Sequence, residues 1–106
     1  MNPKMNMNKL MQQVQDAQKK LQDELTAMRV TASSGGGMVE VTLDGTKQMI
    51  SIKIDPQTVN PEDVEMLQDL IVAAYNEAFR RAEDEAAQKM GAFTGKFNIP
   101  GLGNMF

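Results

Sequence analysis

The chain has no cysteine and no histidine among its 106 residues. Without cysteine there is no disulfide, no thiolate nucleophile and no cysteine-ligated metal. Without histidine the commonest general base and the commonest metal ligand are missing too. Long apolar runs are absent as well. The longest, Leu70 to Ala74, falls far short of the roughly 20 residues that a membrane span requires. The start, MNPKMNMNKLMQQ, lacks the continuous apolar stretch of a secretory signal. These absences point to a cytoplasmic protein that is not an enzyme and that takes no metal, cofactor, small-molecule substrate or membrane.

Positive charge is also scarce. The net charge is −3 and the pI about 4.8, a poor starting point for a strong nucleic-acid binder. The imbalance is uneven, however. Residues 1–30 carry five bases against three acids, whereas residues 61–90 carry three bases against eight acids. An anion-binding surface is therefore expected on the first segment.

The length is that of one domain, 1–106. Residues 5–28 lack glycine and proline. Met7, Val14, Leu21 and Met28 recur every seven residues, with Leu10, Ala17 and Leu25 between them. This seam predicts one long helix. The period then falls to two, which predicts three strands within about 29–54, separated by the Ser33–Gly37 turn and by Asp44-Gly45. A two-residue turn at Asp44-Gly45 would set Val41 opposite Gln48 and Val39 opposite Ile50. Asn60-Pro61-Glu62-Asp63 reads as the start of a second long helix over 61–90, with Asn60 as its cap. Its stripe begins with Val64, Leu67, Leu70 and Ile71 and ends in alanines, so the first half is expected on the sheet. Gly91 is expected to end it and to open a flexible tail, 91–106. In that tail Phe93, Phe97, Ile99 and Phe106 are too apolar for a fully solvated segment and suit docking on a partner.

Other patterns have bland explanations. Glu83, Asp84 and Glu85 splay around a helix beside Arg80 and Arg81, as a solvated ion-paired surface does. Ser33–Gly37 lacks the following Lys and helix of a phosphate-binding loop. The ten methionines suit helix-seam filling.

The reading is thus α+β: a three-stranded antiparallel sheet with two long projecting helices. Both helices would outrun a compact domain of this length, and one docked helix leaves apolar sheet uncovered. A dimer answers both problems. Its interface is expected on Val39, Val41, Leu43, Ile50, Ile52, Leu67, Leu70 and Ile71.

The ordered set of segments also resembles the YbaB/EbfC family of bacterial nucleoid-associated proteins. The resemblance is carried by Leu10–Gln13, Ser34–Gly37 with Val39–Gly45, Ile52–Pro56, Asp63–Ala74, Tyr75–Ala78 and the Gly-, Pro- and Phe-containing tail. It covers nearly the whole chain. The Met/Asn-rich start stands where family members carry a Gly-rich start with Phe and Lys. The resemblance implies an αβββα protomer, a homodimer joined through the sheet with helices projecting like tweezers, and a nucleoid protein that binds duplex DNA and influences gene expression. With that function, Lys4, Lys9, Lys19 and Lys20 are the expected phosphate contacts, with Arg80 and Arg81 as helpers. A protein-interaction scaffold that uses the projecting helices without touching DNA is the alternative.

Overall fold

The structure, a computed structural model, describes residues 3–97, with side chains described within 7–93. The order of elements is α1 (Pro3–Ala27), β1 (Val30–Ser34), β2 (Val39–Leu43), β3 (Met49–Ile54), a single 3-10 turn (Pro56–Thr58) and α2 (Val64–Phe97). The strands form one antiparallel sheet in the order β1-β2-β3. The radius of gyration is 20.0 Å, against about 13 Å for a compact domain of this length. The excess comes from the two helices, which leave the sheet as an antiparallel arm.

The core lies between α2 and the first two strands. Val30, Ala32, Val39, Val41 and Leu43 alternate along β1 and β2 and are buried on the face toward α2. Ala74, Ala78 and Ala82 meet them, also fully buried. This differs from the expectation that the large residues of α2 would supply the sheet contact. Alanines four apart bring the helix backbone close to the sheet, and Leu67, Leu70 and Ile71 pack half-buried at the margin of the core. The Ser34 hydroxyl donates to the Leu70 carbonyl at 2.6 Å and pins β1 to α2.

α2 begins later and ends later than the sequence suggests. Asn60 caps a separate turn, accepting from the Glu62 N–H at 3.0 Å. The helix cap is Asp63, which accepts from the Met66 N–H at 3.2 Å. At the other end α2 runs through Gly91 and Gly95 to Phe97. Glycine costs a helix interior about 1 kcal/mol. Burial of Phe93 against α1 gives back more than that. The first part of the predicted tail is therefore helix, and its remainder, 98–106, lies outside the described residues.

The β2–β3 connection also differs. The Asp44 N–H donates to the Gln48 carbonyl and the Lys47 N–H to the Asp44 carbonyl. Lys47 takes the left-handed conformation at φ 72°. This is a three-residue loop built on a type I turn, not the two-residue turn read from Asp44-Gly45. The longer loop and a bulge at Thr42/Leu43 set Val41 opposite Ile52 and Val39 opposite Ile54.

Asp44 explains the choice. Its buried carboxylate accepts from the Thr46 N–H at 2.8 Å, the Thr46 hydroxyl at 2.6 Å and the Gln48 N–H at 3.0 Å. The Thr46 hydroxyl is the largest influence and holds the Asp44 carboxyl below its ordinary value of 3.8, against burial, which raises it; the Gln48 and Thr46 N–H groups and the Arg29 charge add to the lowering. A lowered folded-state pKa gives stability above the unfolded value that disappears as pH falls through the folded one. Asp44→Ala is expected to cost about 2 kcal/mol at neutral pH by orphaning these donors. Asp44→Asn should remove the part of acid destabilisation that sets in below about pH 4. Chemical denaturation across a pH series measures both.

Gly45 locks α1 to this loop. Its N–H donates to the Leu25 carbonyl at 2.8 Å, satisfying an open group in the last turn of α1. A Cβ at Gly45 would sit 2.7 Å from both that oxygen and the Met28 sulfur. Gly45→Ala should therefore destabilise the fold by about 1–3 kcal/mol. Faster amide exchange in the last turn of α1 would report the same displacement.

Candidate nucleic-acid interface

α1 is amphipathic on the predicted seam. Val14, Ala17, Leu21 and Leu25 are half-buried and Met28 is buried. α1 and α2 pack with Ala17, Lys20, Leu21 and Glu24 across from Lys89, Ala92 and Phe93, around a groove of about 270 Å³. At 100° per residue, Lys19 lies opposite the seam, and Lys9 and Lys20 share one flank with Asp16 and Asp23. The exposed surface of α1 is thus of mixed charge.

The fold separates the candidate cations into free and engaged sets. Arg80 pairs with Glu77. Arg81 meets the same carboxylate at 3.1 Å and donates to the Thr31 carbonyl at 3.1 Å, tying α2 to β1. Lys47 pairs with Glu83 at 3.6 Å and lies 4.9 Å over the Phe79 ring. Lys53 pairs with Glu40 at 3.9 Å. Arg29 donates to the Thr26 and Met28 carbonyls, where it caps α1. Among the described residues, Lys9, Lys19, Lys20 and Lys89 form no ion pair, and all four lie on the helical arm. Lys4 is also in α1, but its side chain lies outside the described residues. Lys89 was not singled out from the sequence, because only the antiparallel packing of the helices brings it across the groove from Lys20.

The expected interface residues divide in the same way. Val39, Val41 and Leu43 are 0% exposed within a single chain, so they are core and leave no surface for a partner. Ile50 and Ile52 are 44% and 38% exposed. Ile52 shares the face of Val41 but lies past the strands that α2 covers. Leu67, Leu70 and Ile71 are half-buried at the margin of the core, and Leu70 lies beside Ser34 and Gly35 at the β1–β2 turn.

Among the described residues no His/Cys/Asp/Glu group could hold a metal ion, and no helix is long and apolar enough to cross a membrane.

The model of the YbaB/EbfC DNA-binding family matches residues 1–97. A nucleoid-associated protein of Syntrophobacter fumaroxidans is 53% identical over 95 residues, covering 87% of this chain and 86% of its own. One from Alkaliphilus metalliredigens is 55% identical over 100 residues, covering 92% and 88%. The crystal structure of an uncharacterized protein from Helicobacter pylori has the same fold, with a TM-score of 0.70 at 26% identity over 89% of this chain and 96% of that one.

Proposed function

The chain belongs to the YbaB/EbfC DNA-binding family, and from that membership we propose that it binds duplex DNA as a homodimer with weak sequence preference, organising the nucleoid and influencing gene expression. The observation that carries the reading is the set of unpaired lysines on the projecting arm, Lys9, Lys19, Lys20 and Lys89, in a protein whose other described cations are engaged. Lysines of this kind meet phosphates, and phosphate contacts position a protein without reading bases. A single arm holds too few of them for useful affinity in an acidic chain. Two arms in fixed register make the second contact intramolecular, and avidity offsets the charge.

The dimer is proposed on β3 and the first turns of α2. β3 is a sheet edge, with unpaired backbone groups along its open side. It also presents Ile50 and Ile52 to solvent. A second copy over this strand would bury Ile50, Ile52, Leu67, Leu70 and Ile71 together. The nucleoid is the expected location, since the relatives are called nucleoid-associated.

Duplex affinity across a salt series, with mass from light scattering, tests the reading. A dimer whose log affinity falls linearly with log salt, at about −0.9 per phosphate contact, supports it. The scaffold alternative draws on the exposed apolar residues at the arm's tip. An intact dimer without affinity at low salt would favour that alternative.

A further inference from the structure

The two helices of the arm pack on each other but leave a groove of about 270 Å³ between them, to which Ala17 of α1 and Ala92 of α2 contribute only methyl groups. Ala17 and Leu21 are half-buried and Phe93 is buried, so the floor is apolar. The walls are charged. Lys20 stands on α1 and Lys89 on α2, and neither ammonium has an ion-pair partner among the described residues. Lys20 is exposed, whereas Lys89 is half-buried. A partly desolvated ammonium without a counter-charge gains from an anion that reaches it.

The lining also limits what fits. Glu24 shares the groove, so two ammoniums stand against one carboxylate. That balance suits a single anionic head and disfavours a polyanion threaded along the groove. At about 30 Å³ per water-sized group, the volume holds roughly nine non-hydrogen atoms. An aromatic ring or a short alkyl chain fills most of it. A cleft with an apolar floor and a few converging polar groups is the usual form of a small-molecule site.

We propose that this groove is a regulatory site for a small amphipathic anion, which sets its apolar body against Leu21 and Phe93 and its one phosphate or carboxylate between Lys20 and Lys89. The site stands on the groove's geometry alone. Its consequence for DNA rests on the function proposed above, in which the same two lysines meet phosphates. A bound anion withdraws both lysines of each protomer from the duplex. The salt slope then falls by about 0.9 for each lysine neutralised, and duplex affinity falls with it.

Phenyl phosphate is the probe, titrated into the full chain with alanine methyl and phenylalanine ring NMR signals as reporters. Saturable shifts of Ala17, Ala92 and Phe93 are expected, with a dissociation constant of about 1 mM or below for a ligand of this size. Lys20→Met and Lys89→Met keep the apolar stems and should each weaken the probe by about tenfold. Ala92 is exposed, so Ala92→Leu fills the groove without disturbing packed neighbours. It should abolish the Ala17 and Phe93 shifts and leave duplex affinity as it was, because both lysines remain. Saturating probe should lower duplex affinity by about tenfold or more in the unsubstituted chain and leave Ala92→Leu unaffected. Inorganic phosphate that binds as tightly would overturn the site, since the lysine pair alone would then suffice. Benzyl alcohol that binds as tightly would overturn the role of the charge. The absence of saturable shifts up to about 10 mM probe would overturn the whole proposal. Saturation that leaves duplex affinity unchanged would overturn the regulatory role. In a chain that binds no duplex the shifts still decide the site, so the two readings fail separately.

Discussion

Ile52→Asp is expected to turn the proposed dimer into an 11.7 kDa monomer and to weaken DNA binding by roughly 100-fold or more, the share that bivalence would supply. The residue lies on the α2 side of the sheet, opposite Val41, but α2 packs on β1 and β2 and leaves it 38% exposed. A carboxylate there is therefore solvated in the free chain, and the fold should survive, with its helical circular dichroism unchanged. Under a partner copy the same carboxylate would be buried without a counter-charge, at a cost of several kcal/mol. Two-fold symmetry applies that cost twice. Each 1.4 kcal/mol is a factor of ten in dissociation constant, so dimerisation should weaken by more than 100-fold. Val39→Ala is the contrasting variant. Val39 has no exposed surface, so truncation should lower stability by about 2 kcal/mol and leave the mass of the folded protein unchanged. If Ile52→Asp remains a dimer by light scattering, the partner does not sit on β3.

The contrast between Ile52 and Val39 also marks how far the sequence could be read. Alternation along residues 39–54 placed both on apolar strand faces, because period two reports sidedness. It carries no information about how far a helix's footprint extends across that face. The α1 seam was legible, since Val14, Ala17, Leu21, Leu25 and Met28 are the residues that become covered. The course of α2 past Gly91 was not. Local propensity stops a helix there, and only the contact of Phe93 with a segment some seventy residues earlier overrides it. The hairpin loop was misread for a related reason. Asp44-Gly45 matches a two-residue turn, but the Asp44 carboxylate gathers three donors from its own loop and closes a longer one. Lys89 stayed hidden because its place across the groove from Lys20 is a tertiary fact. Arg80 and Arg81 looked available in sequence, yet their shared partner Glu77 is one helical turn away.

That last distinction leads to the second large effect. Replacing Lys9, Lys19, Lys20 and Lys89 together by alanine is expected to flatten the salt dependence of duplex binding and to lower affinity at low salt by at least 100-fold. Every lysine that neutralises one phosphate contributes about 0.9 to the slope, and a dimer presents each lysine twice. The four are surface residues without ion-pair partners in the described structure, so their removal should leave the melting temperature nearly unchanged. Arg80→Ala should move affinity by less than about twofold, because a guanidinium paired to Glu77 offers little net charge to a phosphate. Arg81→Ala should instead lower stability, by about 1 kcal/mol, through loss of its bond to the Thr31 carbonyl. A quadruple variant that keeps both slope and affinity would show that these four lysines are not the phosphate contacts. In that case the contacts would fall to Lys4 or Lys96, or to cations that the fold engages, such as Lys47, Lys53 and Arg29 at the sheet, released from Glu83, Glu40 and the α1 carbonyls when DNA arrives. The measured slope of the unsubstituted protein, divided by about 0.9, would then say how many such contacts form.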